Sequence, residues 1–465
     1  MPAVDQVLTV AAMRAAEAAL METGTGVDAL MQIAGRGAAD WVWRVGGRHL
    51  VTVLCGPGNN GGDGYVIAEA MRARGGNVKV VAVAEPRTDA ARNARALYRG
   101  AAVGADEPVR GDVLVDCLYG SGLVRPLDDA DLALLTRLAA SHPRRIAVDL
   151  PSGVDSDSGA AFNPGLPDYQ LTIALGAWKH AHFLMPACAA MGELRLVGIG
   201  CGAVAGAAGV VARPKLAAPA ADAHKYRRGL LAVVGGELRG AAQLAAVSAQ
   251  GAGAGYVRLL ADRSGPFRAD LVTDTRQLTE ALADARLSAV LAGPGLGRGA
   301  AARAALEAAI RAGRRLVLDA DALFLLRPDD IAGRRIDGVA TPHEGELAVL
   351  ERSFGLDGAG TKLDRARALA AATGLVVVAK GPDNVIAAPD GRAAFARRAP
   401  SWLSTAGTGD VLAGIVASRL ACGADPFAAA AEGVWLQGEA ARLAGTAFAA
   451  SELAAAVRSA YAACL

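Results

Sequence analysis

The sequence predicts a two-domain α/β protein whose first domain is a three-layer arrangement, a parallel sheet with helices on both faces, and whose second domain is also α/β. Short β-branched runs that end in Gly, Pro or Asp alternate with Ala-, Leu- and Arg-rich segments of helical length, a pattern typical of buried parallel strands joined by helices. The chain has 465 residues, enough for two or three domains. The alternation stops once, in a Gly-, Ala- and Pro-rich stretch at 203–222, and then restarts. We therefore predict domains at 1–210 and 222–465.

Apolar runs in the first half predict six strands, at 50–55, 78–84, 113–117, 146–150, 171–175 and 194–199. Segments 65–74 and 131–141 have the length and the Ala, Leu and Arg content of helices between these strands. An opening helix is predicted at about 9–21, where it would pack outside this unit.

In the second half the same pattern predicts strands at 230–234, 256–260, 289–292, 316–318, around Val339 and at 375–379. Runs 385–388 and 392–396 flank Pro389-Asp390-Gly391 and predict a hairpin. The tail from Asp410 onward is predicted to be helical. Ligand-binding loops are expected at the carboxyl ends of the parallel strands.

The composition argues against several classes of protein. Hydrophobic residues make up 53% and charged residues 20% of the chain, which leaves little case for disorder. Lys and Arg number 48 against 46 Asp and Glu, and this near-neutral balance argues against a nucleic-acid partner. Aromatic residues are only 4%, too few to suggest a base-stacking surface.

The cysteines and the N-terminus predict a soluble cytoplasmic protein with reduced thiols. Six cysteines are scattered without a C-x-x-C pair, and Asp5 and Glu17 lie where a secretory signal would be apolar. The longest uncharged stretch, 196–212, is rich in Gly and Ala and short for a bilayer span, so no membrane partner is expected. We interpret His180 and His182 as part of a loop rather than a zinc site.

The strongest local signal is the run Gly56-Pro57-Gly58-Asn59-Asn60-Gly61-Gly62-Asp63-Gly64, which follows a predicted strand and precedes a predicted helix. Glycines in such a turn expose backbone N–H groups, and a helix N-terminus favours an anion, so the run predicts phosphate binding. Its spacing matches neither the dinucleotide G-x-G-x-x-G nor the G-x-x-x-x-G-K-[ST] loop. A tight structural turn is the alternative, but the Asn and Asp residues between the glycines favour a site.

Two further strand ends carry polar side chains. Asp116 precedes Gly120-Ser121-Gly122, and Asp149 is followed closely by Ser152. Because the carboxyl ends of parallel strands gather at one edge, Asn60, Asp116 and Ser152 can converge as oxygen ligands. Such ligands suit a hard, weakly charged cation, and potassium is one such ion. The alternative interpretation is that Asp116 and Asp149 are ordinary helix caps.

These three motifs together resemble the NAD(P)H-hydrate epimerase domain over most of residues 1–205. The resemblance implies a Rossmann-like fold that interconverts the R and S forms of hydrated NAD(P)H. It implies that Asn60, Asp116 and Ser152 hold K⁺ and that Asp149 is the acid or base beside the nicotinamide, with a pKa that burial can raise. The implied substrate-binding residues are Asn59, Asn60, Gly61, Gly62, Asp63, Gly120, Ser121, Gly122, Leu123, Val124, Arg125, Pro126 and Asp149.

A second set of small residues occurs in Thr405-Ala406-Gly407-Thr408-Gly409-Asp410, at a predicted transition from loop to helix. Small residues there allow N–H groups to converge on an oxyanion or a phosphate. Asp410 either acts chemically or is an ordinary N-cap after a glycine turn.

Other loops of the second half follow predicted strands. Lys380-Gly381-Pro382-Asp383-Asn384 is a candidate nucleotide loop, although a lysine at a strand end is often solvated. Gly293-Pro294-Gly295-Leu296-Gly297 leaves room for a ligand or forms a structural turn. His343 can hydrogen-bond a polar substrate or be an ordinary loop residue. Asp319 and Asp321 can cap helices or line the cleft.

Together these loops resemble the ADP/ATP-dependent NAD(P)H-hydrate dehydratase domain over roughly 222–465, with Ala406 where that family tends to have Gly. The resemblance implies a ribokinase-like fold and a homo-oligomer. It implies that ADP or ATP, with Mg²⁺, phosphorylates the C6 hydroxyl of the hydrated ring, that Asp410 accepts its proton, and that elimination regenerates NAD(P)H. The implied substrate contacts are Ala241, Gly295, His343 and Asp410, and the implied nucleotide contacts are Lys380, Gly381, Pro382, Asp383, Asn384 and Gly409.

Two other functions stay open at this stage. One is a small-molecule kinase of the ribokinase superfamily with an accessory first domain, and the other is a non-catalytic scaffold. The pairing of domains favours repair, because hydration leaves two epimers and a stereospecific dehydratase uses only one. The presence of Asn60, Asp116 and Asp149 as chemical residues argues against a scaffold.

Overall fold

A computed structural model describes residues 4–261 and 268–465, and the chain divides into two compact units, Met1–Gly209 and Val210–Leu465. The strands of the first unit are β1 (Gln6–Leu8), β2 (Leu50–Cys55), β3 (Asn77–Ala82), β4 (Ala102–Gly104), β5 (Val113–Cys117), β6 (Arg144–Val148), β7 (Leu171–Leu175), β8 (Trp178–Lys179) and β9 (Glu193–Val197), with β10 (Ala208–Val210) at the division. Its helices are α1 (Val10–Glu22), α2 (Val27–Gly46), α3 (Asn59–Ala73), α4 (Asp89–Leu97), α5 (Asp129–Ser141) and α6 (Ala187–Ala190).

Seven strands of the first unit form one parallel sheet in the order β4-β3-β2-β5-β6-β7-β9. The strands predicted at 50–55, 113–117 and 171–175 agree with the structure to the residue. Because the strands run in the same direction, the loops that follow β2, β5, β6 and β7 lie at one edge of the sheet.

Helices cover both faces of this sheet. Successive residues of β2 point in opposite directions, so Val53 joins the core that contains α2 and Leu54 joins the core that contains α5. Helix α2 is missing from the predicted elements, as is α4, although its buried Ala34, Ala38 and Val42 recur at helical spacing.

Helix α1 belongs to the first unit's core, so the expectation that the opening helix packs outside is wrong. Met13 is buried in the same cluster as Ile199. A Cβ built on Gly176 would lie 2.2 Å from the terminal methyl carbon of Met13. The Asp157 carboxylate accepts a hydrogen bond from the Val10 N–H at 2.8 Å, which anchors the start of the helix.

The second unit has the strands β11 (Leu230–Val234), β12 (Tyr256–Leu260), β13 (Val272–Asp274), β14 (Leu287–Ala292), β15 (Arg315–Leu318), β16 (Gly338–Ala340), β17 (Val376–Ala379), β18 (Val385–Ala387) and β19 (Ala393–Phe395). Its helices are α7 (Arg239–Gly251), α8 (Leu278–Leu282), α9 (Ala300–Arg311), α10 (Asp321–Leu325), α11 (Pro328–Ile331), α12 (Glu344–Ser353), α13 (Lys362–Thr373), α14 (Thr408–Ala421), α15 (Pro426–Ala444) and α16 (Ala450–Ala462).

The second sheet has the order β13-β12-β11-β14-β15-β16-β17-β18-β19. It is parallel from β13 to β17, and β17, β18 and β19 are antiparallel neighbours, as the predicted hairpin requires. Helices α7 and α14 approach closely, because a Cβ built on Gly414 would lie 2.1 Å from the Ala245 carbonyl oxygen. In the part of the chain that the structure describes, no helix combines the length and apolar character that a membrane span requires.

Candidate active sites

Three loops of the first unit meet around Gly120. Asn60 lies at the start of α3, Gly120 follows β5, and Asp149 follows β6. A Cβ built on Gly120 would lie 2.9 Å from Asp149 Oδ2 and 3.1 Å from Asn60 Cγ. A carboxylate and an amide therefore lie together at the carboxyl edge of the sheet, where open parallel sheets bind ligands.

A cavity of about 470 Å³ opens at this edge, a size in the range of small-molecule sites. The substrate-binding residues predicted from the sequence that line it are Asn59, Asn60, Asp63, Gly120, Ser121, Gly122, Leu123, Val124, Arg125 and Asp149. Gly61, Gly62 and Pro126 are not among the described residues that line the cavity.

The glycine-rich run forms the first turns of α3, which begins at Asn59 rather than at the predicted residue 65. Glycine is required inside this turn, because a Cβ on Gly61 would lie 1.8 Å from the Gly56 carbonyl oxygen, whereas nothing lies within 4 Å of a Cβ on Gly58. The run therefore serves both as a tight packing element and as a helix N-terminus that faces the cavity.

Alanine at position 61 is expected to destabilise the protein, whereas alanine at position 58 is the matched control. Because the backbone around Gly56 must move to accept the new methyl group, we expect G61A to lower the free energy of unfolding by about 1–3 kcal/mol. The G58A change alters only a helix cap and is expected to cost less than about 1 kcal/mol. Urea unfolding of both variants measures the difference, and equal stability of G61A and G58A would contradict this account.

Asp149 forms a buried ion pair with Lys179. The Lys179 Nζ atom lies 2.5 Å from Asp149 Oδ1, and the two side chains are 2% and 10% exposed. Lys179 also donates to the Leu175 carbonyl at 2.6 Å. The other carboxylate oxygen, Oδ2, accepts the Ser121 N–H at 2.9 Å. Both oxygens of Asp149 are therefore fixed by charge-assisted hydrogen bonds.

The ion pair determines the protonation state of Asp149. Burial alone would raise the pKa of this carboxyl, but the charge and hydrogen bond of Lys179, together with the Ser121 N–H, lower the pKa to about 2. Burial is thus outweighed, and the expectation of a raised pKa for Asp149 is wrong. At neutral pH Asp149 is ionised, so it can stabilise a positive charge or accept a proton, but it has no proton to give.

A neutral histidine holds the backbone of Asp149, whose φ of 65° lies in the left-handed region. His182 Nδ1 accepts the Lys179 N–H at 2.9 Å, and Nε2 lies 2.8 Å from the Asp149 carbonyl oxygen. Burial and the nearby Lys179 charge lower the pKa of His182 to about 4, so the ring is neutral and donates through Nε2.

His180 and His182 form a buried 3₁₀ turn rather than the expected loop. No described group of three His, Cys, Asp or Glu residues has a metal-site arrangement.

Asp116 and Ser152 form a hydrogen-bonded pair below the surface of the protein. The Asp116 Oδ1 atom accepts the Ser152 hydroxyl at 2.7 Å and the Leu118 N–H at 3.1 Å. Its Oδ2 atom accepts the Ser152 N–H at 3.0 Å and the Tyr169 hydroxyl at 2.5 Å. Burial raises the pKa of Asp116 while these four donors oppose the increase. Neither residue is among the described residues that line the cavity.

Asn60 is an unsatisfied polar side chain of this site. Its amide nitrogen and oxygen are both buried, and neither has a hydrogen-bond partner among the described residues. Buried amides in folded proteins are almost always bonded. An unpaired amide on a cavity wall therefore indicates a position for a ligand or an ion.

Sequence reasoning missed three charged residues of this cavity, namely Arg14, Glu17 and Lys179. Arg14 and Glu17 lie on α1, and no local motif marks them. Lys179 has a detectable signal, because it follows the strand predicted at 171–175 much as Asp149 follows the preceding strand. Burial raises the pKa of Glu17, and the Lys179 charge opposes this increase.

In the second unit, four segments converge on Lys380, which follows β17. Its Nζ atom lies 2.6 Å from Asp319 Oδ1 and 3.6 Å from Glu346 Oε2. The Thr341 hydroxyl also donates to Asp319 Oδ1, at 2.7 Å. A Cβ built on Gly409 would lie 3.4 Å from Lys380 Nζ. The loops after β15, β16 and β17 therefore meet the first turn of α14.

Asp410 lies in that first turn, but Gly407 occupies the cap position, so Asp410 is not the N-cap. Burial and the negative charge of Asp319 raise the pKa of the Asp410 carboxyl to about 6, although Lys380 opposes the increase. A carboxyl with this pKa is largely ionised at neutral pH and is a stronger base than an exposed aspartate, which suits general-base chemistry.

The glycine-rich loop after β14 packs on the start of α7. Gly295 has a φ of 64°, and its carbonyl oxygen accepts the Leu238 N–H at 2.9 Å. Ala241 follows in the first turn of α7, so the structure brings Ala241 and Gly295 to the same region. The Asp321 carboxylate accepts the Gly297 N–H at 2.9 Å and contributes to the raised pKa of Asp410, which connects this loop with Asp410.

The loop at 380–384 is fastened by Lys362, which the sequence did not indicate. Lys362 Nζ lies 2.5 Å from Asp383 Oδ1 and 3.1 Å from the Lys380 carbonyl oxygen, and the Gly381 N–H donates to Asn384 Oδ1 at 3.0 Å. Lys380 therefore faces the carboxylates at one end of the loop. Asn384, at the other end, lines a cavity of about 460 Å³ whose wall includes Arg397, Arg398, Trp435 and Arg442.

His343 is the N-cap of α12. Its Nδ1 atom accepts the N–H groups of Gly345 at 3.0 Å and Glu346 at 3.3 Å, and its own N–H donates to Glu346 Oε2 at 2.8 Å. The exposed ring therefore fixes Glu346 next to Lys380 and leaves Nε2, 3.4 Å from Glu346 Oε1, at the edge of the group.

Two protein families match this chain. The family described as NAD(P)H-hydrate dehydratase matches residues 231–461, and the family described as YjeF-related protein N-terminus matches residues 27–181. The first range falls within the second compact unit and the second range within the first unit.

Similar proteins extend over nearly the whole chain. The bifunctional NAD(P)H-hydrate repair enzyme Nnr of Salinibacter ruber is 33% identical and aligns with 94% of this chain and 91% of that protein. The enzyme of the same name from Mycobacterium tuberculosis is 32% identical over 90% of both chains. Among solved structures, the ADP/ATP-dependent NAD(P)H-hydrate dehydratase from Bacillus subtilis, co-crystallized with ATP/Mg²⁺, is 27% identical, with a TM-score of 0.48, 54% of this chain covered and 95% of that chain.

Proposed function

Because the chain belongs to the family of bifunctional NAD(P)H-hydrate repair enzymes, we propose that it restores hydrated NADH and NADPH in two steps. The first unit interconverts the R and S forms, and the second unit dehydrates the S form with ADP or ATP. The observation that carries the proposal is the presence of two separate polar sites on one chain, around Asp149 in the first unit and around Asp410 in the second.

The epimerase site is the cavity where Asn60, Gly120 and Asp149 meet. Backbone N–H groups at the start of α3 favour the dinucleotide phosphates. The ionised Asp149, held by Lys179 and Ser121, lies beside the hydrated ring. A fixed carboxylate there stabilises the positive charge that develops when the C6 substituent of the ring begins to leave.

Potassium is proposed to bind next to this cavity through Asn60, Asp116 and Ser152. The donor set fits, because the Asn60 oxygen is buried without a partner among the described residues and the hydrogen bonds that the Asp116 carboxylate accepts from described residues all come from neutral donors. The ion would supply positive charge near the substrate's phosphates and hold the loop after β5. The epimerisation assay, repeated with a large organic cation in place of potassium, is expected to give a lower rate.

The dehydratase site is proposed to use the carboxylate of Asp410 as the base. It takes the proton of the C6 hydroxyl while that oxygen forms a bond to the terminal phosphorus of ADP or ATP, and the bond from this phosphorus to the bridging oxygen breaks. AMP leaves when ADP is the donor. The phosphate then departs from C6 with a ring proton from the neighbouring carbon, which leaves NAD(P)H.

Lys380 and the start of α14 are proposed to bind the transferred phosphoryl group. The ammonium group of Lys380 lies next to Gly409, so it and the first N–H groups of α14 face the same space and can neutralise the developing negative charge. Asn384, whose loop begins at Lys380 and which lines the neighbouring cavity, is proposed to contact the remainder of the nucleotide.

Mg²⁺ is expected to accompany the nucleotide, with Asp319 and Glu346 as its protein ligands. These residues and Asp410 all lie near the ammonium group of Lys380, so three carboxyl groups accompany this one described cation, a surplus of acidic groups that fits a divalent ion. Mg²⁺ in such sites is usually held by one or two carboxylates together with substrate phosphates. When bound, it supplies charge neutralisation to the phosphates.

The function is tested by mixing the purified chain with ADP and a mixture of R and S hydrated NADH and following the absorbance of reduced nicotinamide. Complete recovery of NADH from both epimers is expected, whereas a dehydratase alone would recover only the S form rapidly. No recovery, together with phosphorylation of an unrelated alcohol, would favour a small-molecule kinase instead.

A further inference from the structure

Asp63 is a buried acid on the wall of the first cavity that no described residue pairs. It lies in the first turns of α3 and lines the cavity together with Asp149 and Lys179. The residue is 8% exposed, yet no described side chain or backbone group donates a hydrogen bond to its carboxyl oxygens. The carboxyl oxygens are not among the described side-chain atoms that are both fully buried and unpartnered, so they reach the cavity, where a ligand can bond to them.

The charges around Asp63 favour its neutral form. Arg14 and Glu17 face the cavity from α1, Asp149 faces it from the loop after β6, and Lys179 faces it from β8. Lys179 is bonded to Asp149 and therefore offers Asp63 little compensation. Burial, followed by the negative charges of Asp149 and Glu17, raises the pKa of Asp63 well above its ordinary value, and Lys179 opposes this only in part.

Two thiols pack against Gly64, the residue after Asp63, where a Cβ would lie 2.7 Å from Cys55 Sγ and 2.9 Å from Cys117 Cβ. Cys55 ends β2 and Cys117 ends β5, and both are fully buried. Burial raises the pKa of each thiol, with the charge of Cys55 as a further cause for Cys117. Among the cavity carboxyls, the pKa of Asp63 is thus raised while that of Asp149 is lowered, and two acids whose pKa values are pushed apart suit acid–base catalysis.

We propose that Asp63 is a second catalytic residue of the epimerase site and that its carboxylic acid exchanges a proton with the hydroxyl group on C6 of the hydrated nicotinamide ring. The inference rests on the proposed function of the first unit. Asp63 would supply the proton that Asp149 lacks, because an ionised carboxylate has no proton to donate to a leaving hydroxyl group.

Asp63 gives its proton to the C6 hydroxyl oxygen, the C6–O bond breaks, and water leaves while the lone pair of the ring nitrogen N1 forms a C6=N1 double bond. The resulting cation lies beside the Asp149 carboxylate. Water then adds to the opposite face of C6 and returns a proton to the Asp63 carboxylate, so the other epimer forms and both residues regain their original states.

The test compares Asp63→Asn with the unchanged chain in the absence of ADP and ATP, with the R and S forms separated by chromatography. Asparagine has the same shape but no acidic proton, so the kcat of epimerisation is expected to fall by about 10²- to 10⁴-fold with a much smaller change in KM. Asp63→Glu, which restores an acid, is expected to recover part of this loss. A kcat of Asp63→Asn within about threefold of the unchanged chain would overturn the proposal.

The pH profile of the unchanged chain provides a second readout that does not depend on the folding of a variant. The proton of Asp63 is lost as pH rises through its pKa, so epimerisation is expected to decline on the alkaline side. Glu17→Gln is the matched control, because Glu17 is the other cavity carboxyl with a raised pKa. The alkaline decline should persist in this variant but shift to lower pH, because the negative charge of Glu17 raises the pKa of Asp63. Loss of the decline in Glu17→Gln would assign it to Glu17 and overturn the proposal.

A failure of the proposed epimerase function would give a different result from a failure of the proposed role of Asp63. If the unchanged chain does not interconvert the epimers at all, the epimerase function itself is wrong and the role of Asp63 falls with it. If Asp149→Asn abolishes epimerisation while Asp63→Asn does not, the function stands and only the role of Asp63 is rejected.

Discussion

Asp149→Asn is expected to abolish the interconversion of R and S hydrated NADH while ADP-dependent dehydration of the S form continues. Asparagine is chosen because it tolerates the left-handed backbone conformation at this position better than alanine does. The change removes the negative charge beside the reacting ring, so we expect the epimerisation rate to fall by about 10²- to 10⁴-fold. Chromatographic separation of the epimers, without nucleotide, measures the rate.

The same substitution leaves the buried ammonium group of Lys179 without its ion-pair partner. Removing one member of a buried pair typically lowers the free energy of unfolding by about 3–5 kcal/mol. The double variant Asp149→Asn with Lys179→Met removes both charges and is expected to recover much of this stability without recovering epimerisation. An active Asp149→Asn variant would remove Asp149 from the mechanism, and a double variant as unstable as the single one would contradict the energetic account of the pair.

Asp410→Asn is expected to abolish dehydration and to leave epimerisation unchanged. The carboxylate is the only base that we place next to the C6 hydroxyl in the second site, and its loss should lower the rate by about 10²- to 10⁴-fold. Recovery of NADH from the S form with saturating ADP measures this rate. Nucleotide-dependent turnover at the rate of the unchanged chain would contradict the assignment.

The pH dependence of dehydration follows from the pKa of about 6 for Asp410. A base must be ionised to accept a proton, so the rate is expected to fall as pH drops through about 6 and to level off above it. Lys380 lowers this pKa, so Lys380→Met is expected to move the acid-side decline to higher pH as well as to weaken nucleotide binding. A decline that stays at the same pH in Lys380→Met would show that another group controls it.

Local patterns are enough to predict much of the fold. The strands at 50–55, 113–117, 171–175, 230–234 and 256–260 agree with the structure to the residue, because buried parallel strands are continuous apolar runs bounded by turn residues. Helix α2 shows the limit of this approach. Its long Ala- and Gly-containing sequence has buried residues at helical spacing, but small side chains give a weak amphipathic contrast.

The glycine-rich run at 56–64 illustrates a different limit. It was predicted as a loop before a helix, yet the helix already begins at Asn59. Glycines have low intrinsic helix propensity, so local preference favours a turn. Tertiary packing overrides this preference, because only glycine permits α3 to approach the Gly56 carbonyl and the two cysteines.

The sequence by itself determined the class of fold, the strand ends that carry polar residues and the family to which those motifs belong, because these depend on residues that are neighbours along the chain. Tertiary structure alone decided which carboxyl groups keep their protons. Lys179 reaches Asp149 across 30 residues and Lys380 reaches Asp319 across 61. Ionisation depends on burial and on charges that distant segments bring together, and no local pattern records those distances.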